Sequence, residues 1–370
     1  MSELSASNLR KEHGNEGPDL VGTTELTSPY YMVPPSGTTA ERPQNPQKGT
    51  LRFNTDIGSL EYFKGDTLGW ETIDRVSPNL DGGARGCIAG GSDPVKDNID
   101  YITITTLGNG TDFGNLIQAK FGGAGGGSRT RGVFMGGGTP TRLAEIDFIT
   151  FASTGNAADF GDCAEGSRSQ GAGCSNQIRA IYCGGSAPAG VQDHIDYVTI
   201  QTTGSGAIFG DLLGAGETQT GCQSSTRGVI SGGSSNTNTI QYITLMTTGD
   251  AIDFGDLVTA KNNAGSNAIS SATRGVVGGG GPAIQTIDYF TISSKGNAID
   301  FGNMGHNLAA LNCVDDSVRG VFTGGQNPAG SSVNIMTYIH IATTGDALDF
   351  GDLIAATRTH MSTSNGHGGL

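Results

Sequence analysis

Residues 131–162 read RGVFMGGGTPTRLAEIDFITFASTGNAADFGD, and this stretch decides the fold because the chain repeats it. Its first motif, Arg-Gly-apolar-apolar-x-Gly-Gly, recurs as RGCIAGG from Arg85, RGVFMGG from Arg131, RAIYCGG from Arg179, RGVISGG from Arg227, RGVVGGG from Arg274 and RGVFTGG from Arg319. Successive starts are 46, 48, 48, 47 and 45 residues apart. The second motif appears as IDYITI at Ile99, IDFITF at Ile146, IDYVTI at Ile195, IQYITL at Ile240, IDYFTI at Ile287 and MTYIHI at Met336. The third surrounds Phe113, Phe160, Phe209, Phe254, Phe301 and Phe350 and contains Asp-Phe-Gly in five of the six repeats. A turn such as STGNA at Ser153 or TTGDA at Thr343 separates the second motif from the third.

Short runs of Ile, Val, Thr, Tyr and Phe between Gly, Asn, Asp and Pro read as strands and turns. IDYITI is apolar on both alternating sets of positions apart from its Asp and Thr, the pattern of a strand buried on both faces. No helical period of ten residues or more is present. An all-β unit of this length fits a blade of four strands, and six units predict a six-bladed β-propeller over residues 77–370. A β-solenoid fits less well because its rungs are usually much shorter. The Gly-Gly pair is expected where strands crowd the axis and the backbone needs positive φ. The repeated Phe is expected to fill the gap between blades. After Gly351 the chain continues as DLIAATRTHMSTSNGHGGL, which is expected to add an inner or outer strand to the first blade and so close the ring.

The diglycine after an apolar strand resembles the kelch or galactose-oxidase type of propeller repeat, over roughly residues 80–370. The aromatic residues typical of later kelch strands are not in their usual places. Upstream, six prolines from Pro18 to Pro46 punctuate residues 1–47, which read as an extended arm that orders on a partner. Residues 48–76 read as a small β-hairpin unit, with LRFN and SLEYF around a turn at Asp56–Gly58 and WETI as a third strand. The segment GTLRFNTDIGSLEYFKGDTLGW is similar to one found in structural proteins of tailed phages, often tail-fibre-like. The DFGDL blades and SPYYMVPPSGTTAERP look like virion proteins of marine cyanophages. The resemblance implies a virion protein, assembled in the host cytoplasm, whose arm (residues 1–47) docks on other virion proteins. Its propeller would be displayed toward a host-surface glycan or protein, in a homo-oligomeric or multi-copy assembly.

The formal charge is −14 and no basic block occurs, so a nucleic-acid partner held through phosphates is not expected. No stretch reaches the length of a membrane span, and the polar N-terminal stretch lacks the apolar core of a secretory signal. The six cysteines form no C-x-x-C and read as reduced core thiols. The histidines never fall in H-E-x-x-H or at i, i+4, so no metal or organic cofactor is expected. Asp-Phe-Gly is periodic and no H-R-D or G-x-x-x-x-G-K-[ST] accompanies it, so it reads as structural and no enzyme activity is expected. The repeated Arg at 85, 131, 179, 227, 274 and 319 has two readings. One is a ring of cations around an anion channel; the other is a repeated ion pair with Asp100, Asp147, Asp196 or the Asp beside the buried Phe.

What differs between repeats is the segment after each diglycine: SDPVKDN, GTPTRLAE, SAPAGVQDH, SSNTNT, GGPAIQT and QNPAGSSVNI. Equivalent loops share one face, so this face is the expected binding surface. Its candidate residues are Asp93, Lys96, Thr141, Arg142, Gln192, Asp193, Asn236, Asn238, Gln285, Gln326 and Asn327. Alternatives to host attachment are a purely architectural capsid or neck decoration and a cellular kelch-like protein-binding module. An oxidoreductase of the galactose-oxidase kind would need Tyr and His ligands at a defined spacing, and none is visible.

Overall fold

A computed structural model describes residues 34–370 except 57, 67–68, 73–83 and 263–264. Residues 1–33, most of the expected arm, lie outside the described residues. The chain divides into two compact units, residues 1–78 and 79–370. Among the described residues there is no α-helix; apart from one 3-10 turn at Thr39–Glu41, every regular element is a strand.

The first unit is a four-stranded sheet of Ser36–Gly37, Leu51–Asn54, Ser59–Phe63 and Trp70–Thr72 in that order. The hairpin and third strand expected at 48–76 are present. Residues 34–47 do not all belong to an extended arm, because Ser36–Gly37 pairs in parallel with Phe53–Asn54. The polar centre explains this. Glu61, fully buried, takes Nε and Nη2 of Arg42 at 3.2 and 2.5 Å and Nδ2 of Asn54 at 3.1 Å. Arg42 also stands over the only tryptophan, Trp70, 5.7 Å from its ring.

The second unit contains six four-stranded antiparallel sheets. Sheet I is Met361–Ser364, Arg85–Ala89, Asn98–Thr103 and Thr111–Asn115. Sheet II is Ala124–Gly127, Arg131–Met135, Glu145–Thr150 and Ala158–Asp162. Sheet III is Ala172–Ser175, Arg179–Ala187, Gly190–Thr199 and Ala207–Asp211, and sheet IV is Thr220–Gln223, Arg227–Ser231, Thr239–Thr244 and Ile252–Asp256. Sheet V is Ile269–Ser270, Arg274–Gly278, Ile284–Thr291 and Ile299–Leu308, and sheet VI is Asn312–Asp315, Arg319–Thr323, Val333–His340 and Leu348–Thr357. This is a propeller-like all-β arrangement. The second strand carries the first motif, the third strand the second, and the fourth strand the Phe-Gly motif.

The first strands touch one another in a closed cycle, I to II and onward through VI back to I. That crowding explains their small residues, such as AGGG and AGCS: a Cβ on Gly125 would strike the Ser362 carbonyl, and one on Gly173 the Gly125 carbonyl. The diglycines have positive φ in every repeat, for example 63° and 111° at Gly136 and Gly137. The apolar core is accordingly divided into six clusters, each between consecutive sheets. Phe113 of sheet I packs with Phe134, Ile149 and Phe151 of sheet II, and Phe350 and Leu353 of sheet VI pack with Ile88, Ile102 and Ile104 of sheet I. The repeated Phe does fill the gap between neighbours. A β-bulge between Ile99 and Asp100, recurring in sheets II to VI, leaves this Phe unpaired in its strand, on the buried side. All six cysteines are buried and free.

The C-terminal segment supplies the strand that sheet I lacks: Met361–Ser364 pairs with Gly86–Ala89 as the first strand. It is an inner strand, and it leaves sheet I no open edge toward the centre. Deleting residues 361–370 removes this ladder and the Met361 contact; at roughly 2–4 °C per kcal/mol, Tm is expected to fall by about 5 °C or more. A fall below about 2 °C would contradict closure by this strand. In the first unit, the Arg42 hydrogen bond holds the Glu61 carboxyl below the usual carboxylate range. Its contribution is therefore present above the ordinary Glu value and lost as pH falls through the depressed one. Glu61→Gln is expected to lower the unfolding midpoint reported by Trp70 fluorescence at neutral pH, with the difference from the parent closing in acid.

Candidate functional site

The six repeated arginines do not form the ion pairs expected of them. Each lies over the aromatic ring of its own sheet: Arg131 over Phe148 at 4.4 Å, Arg179 over Tyr197 at 4.2 Å, Arg319 over Tyr338 at 4.6 Å. Each then donates to a carbonyl of the next sheet, Arg131 to Ile200 at 3.0 Å, Arg179 to Leu245 at 3.1 Å and Arg319 to Ile104 at 3.0 Å. A guanidinium can do both because its face meets a π-system while its N–H groups point in the plane. Of the carboxylates expected as their partners, Asp147 and Asp196 are bound elsewhere, as is the equivalent Asp288. Asp147 pairs with Lys120 at 2.9 Å, Asp196 with Arg168 at 2.7 Å and Asp288 with Lys261 at 3.4 Å, all with side chains at most 3% exposed.

These cations sit on the connection leading out of the preceding sheet, where their carbonyls accept the N–H of the second diglycine residue (Gly91, Gly137 and Gly233). The equivalent carbonyls in the other connections belong to Gly216, Leu308 and Thr357, bonded by Gly185, Gly280 and Gly325. The facing position then changes too. Sheet IV has Gln241 and sheet VI has Thr337. Sheet I keeps Asp100, which takes Asn98 Nδ2 at 2.9 Å and makes no salt bridge; burial raises its pKa. A cation is thus matched by a carboxylate, because either one buried alone is costly.

At Gly216 the missing long side chain leaves a cavity of about 230 Å³, lined by Leu213, Gly216, Gln219, Ser234, Thr237 and Gln241 among others. Gln241 Oε1 accepts the Leu213 N–H at 2.9 Å. Gln219, 6% exposed, has its Oε1 buried without a hydrogen-bond partner. No side chain lining the cavity is ionisable. A larger groove of about 350 Å³ near Tyr101, Leu107 and Asn109 is built from the turn that every repeat possesses, and none of its side-chain oxygens is buried and unbonded.

The loops singled out in the sequence lie at the cavity's end of the sheets, since connections in an antiparallel sheet alternate between its ends. They do not converge on one site. Asp93 meets Arg358 at 2.7 Å, Lys96 donates to the Ala356 carbonyl at 2.5 Å, and Arg142 donates to Ser186 Oγ at 2.6 Å; these contacts tie neighbouring loops together. Thr141 forms a short hairpin with Thr139, Gln192 and Gln326 bond within their own loops, and Asn327 Oδ1 accepts N–H groups of Ala329 and Ser331. Gln285 is exposed. Asn236 and Asn238 alone flank the cavity, on either side of Thr237.

Asp193 belongs to a different cluster. His194 Nδ1 is 3.2 Å from Asp211 and 3.6 Å from Asp193, with Glu165 3.9 Å from Nε2. This is the one group of three metal-competent side chains gathered among the described residues. It is partly exposed, and the hydrogen bond between His194 Nδ1 and Asp211 accounts for the contact. Leu213, Gly216, Gln219 and Gln241 were not singled out in the sequence. Their signal was the paired departure of Gly216 and Gln241 from the Lys/Arg–Asp pattern.

No protein-family model and no curated protein matches this chain.

The pairing rule has a direct test. Lys261→Leu alone strands Asp288 and is expected to cost roughly 3–5 kcal/mol. Adding Asp288→Thr recreates the Leu308/Thr337 pair of sheet VI and is expected to bring urea stability back to within about 1.5 kcal/mol of the parent.

Proposed function

We propose that residues 84–370 form a six-bladed β-propeller that acts as a non-enzymatic binding module. Its ligand site is the cavity beside Gly216. The observation that carries this reading is the cavity's origin: three repeats keep the buried ion pair, and of the three that lack it one has Gly216 and Gln241 in its place, with the space walled in part by neutral amides and hydroxyls. Such a wall favours a neutral, hydroxyl-rich ligand, and a saccharide is the class it fits best. With no acid, base or activated nucleophile in the lining, the site supports binding rather than turnover.

The resemblance of residues 49–70 to a tailed-phage segment supports placing the module on a virion. There the N-terminal residues would dock on other virion proteins, and the propeller would face a host-surface glycan. The architectural reading, a capsid or neck decoration without a receptor, is favoured if purified protein retains no glycan.

The test is a glycan-array and titration experiment with the full chain and with the double variant Gly216→Lys/Gln241→Asp, which copies the Lys120–Asp147 pair into the cavity. The parent is expected to bind a glycan, and the variant to lose about tenfold or more in affinity, because a ligand held by Gln219 and Gln241 would forfeit at least one buried hydrogen bond. Tm is expected to stay near the parent's. Equal binding by both proteins, or none by the parent, would overturn the saccharide site.

A further inference from the structure

At the opposite end of the sheets from this cavity, residues 365–370 run among the first strands. His367 Nδ1 accepts the Gly369 N–H at 3.1 Å, so its Nε2 carries the proton and donates to the Gly127 carbonyl at 2.7 Å, with Ser175 Oγ 3.1 Å away. Gly368 N–H donates to Ser270 Oγ at 3.3 Å, and Ser317 Oγ donates to the Gly366 carbonyl at 2.9 Å. His367 forms part of the wall of a cavity of about 20 Å³. That exceeds the roughly 10–15 Å³ that one water-sized particle needs.

Three further wall residues come from three different sheets: Gln223 from sheet IV, Asp315 from sheet VI and Thr363 from sheet I. They are 5%, 2% and 5% exposed. Each has one half of its polarity accounted for or none. Asp315 Oδ2 accepts the Ser270 N–H at 2.5 Å and lies 3.3 Å from Ser270 Oγ, while Gln223 Nε2 donates to the same Oγ at 3.2 Å. The remaining oxygens, Asp315 Oδ1, Gln223 Oε1 and Thr363 Oγ1, are buried and have no hydrogen-bond partner among the described residues.

No Lys or Arg lines the cavity. The other titratable groups in its wall, His367 and Cys313, are held neutral: burial lowers the His367 pKa to about 4 and pushes the Cys313 thiol up. Asp315 therefore has no counter-charge from the cavity wall, and its neighbour Asp316 is acidic and turned to the Val318 and Arg319 N–H groups. A buried carboxylate without compensation is costly. Burial by itself pushes the Asp315 carboxyl well above the usual carboxylate range, and a cation beside Oδ1 is what would keep it ionised.

We propose that this cavity is a binding site for one hard metal cation, of the sodium or calcium class, held by Asp315 Oδ1, Gln223 Oε1 and Thr363 Oγ1. Oxygen-only ligation by one carboxylate and neutral groups is the chemistry such ions take. The ion joins sheets I, IV and VI, while the tail's own hydrogen bonds reach the first strands of sheets II, III and V and the turn that follows the first strand of VI.

The test uses the full chain, stripped with chelator and exchanged into choline chloride, then titrated separately with NaCl and CaCl2. Tm and native mass spectrometry are the readouts. One of the two salts is expected to raise Tm saturably and to place one cation on each chain, and the responding salt identifies the ion. Asp315→Asn keeps an oxygen toward Ser270 but removes the charge, and it is expected to abolish both effects. Should that variant fail to fold, Thr363→Val makes the same comparison, with an expected loss of about tenfold or more in cation affinity. No saturable response to either salt overturns the proposal. So does a response equal in parent and variant, which would mark adventitious surface binding.

Discussion

Each sheet of residues 84–370 is hydrogen-bonded to the next, and the pairing of Met361–Ser364 with Gly86–Ala89 gives sheet I its fourth strand from the far end of the chain. Two sets of hydrogen bonds run around the structure. The repeated arginine reaches a carbonyl one sheet on, and the turn glycine of each sheet donates to the Phe carbonyl of the sheet before, as Gly155 does to Phe113 at 2.7 Å. Both sets close across the I–VI junction, through Arg319 to Ile104 and Gly108 to Phe350. Without the last strand, sheet I would have three strands and an open inner edge, and the cluster around Met361 would be thinned.

This arrangement has no single core. Apolar residues are shared among six interfaces, each holding one bulged Phe and the outer end of one IDYITI-type strand. Variation is tolerated where it stays inside one interface. Every buried cation meets a carboxylate across a sheet boundary, and in sheets IV and VI both positions are neutral, because a lone buried charge is costly; sheet I alone keeps its carboxylate, Asp100, without a cation, and burial raises its pKa. Where both are neutral, as at Gly216 and Gln241, the interface survives with space left over. A repeat fold can thereby acquire a site in one unit while its neighbours remain filled.

The two ends of the sheets differ for a related reason. At the diglycine end the loops vary and bind one another in pairs. At the other end the turns are nearly constant, and the first strands finish in Gly127, Ser175, Gln223, Ser270, Asp315 and Ser364. Those side chains are small and polar except for Gln223 and Asp315, and it is these two that leave oxygens unbonded beside the cavity.

Much of this was legible in the sequence. Period, strand and turn chemistry and the diglycine established an all-β repeat, and the leftover C-terminal segment pointed to closure, because these follow from local backbone preference and from counting. The Arg partner was misread. Arg and Asp recur together in the sequence, but recurrence does not say which groups face each other, and the ring stacking of Arg131 on Phe148 depends on two strands lying side by side. The arm was drawn too long because the pairing of Ser36–Gly37 depends on a strand placed beside them by the Leu51–Phe63 hairpin. The loops were correctly placed at one end, yet their contacts, the cavity at Gly216 and the grouping of Asp315, Gln223 and Thr363 all join residues from different repeats. Such groupings are decided by how the sheets pack, and only the tertiary structure brings them together.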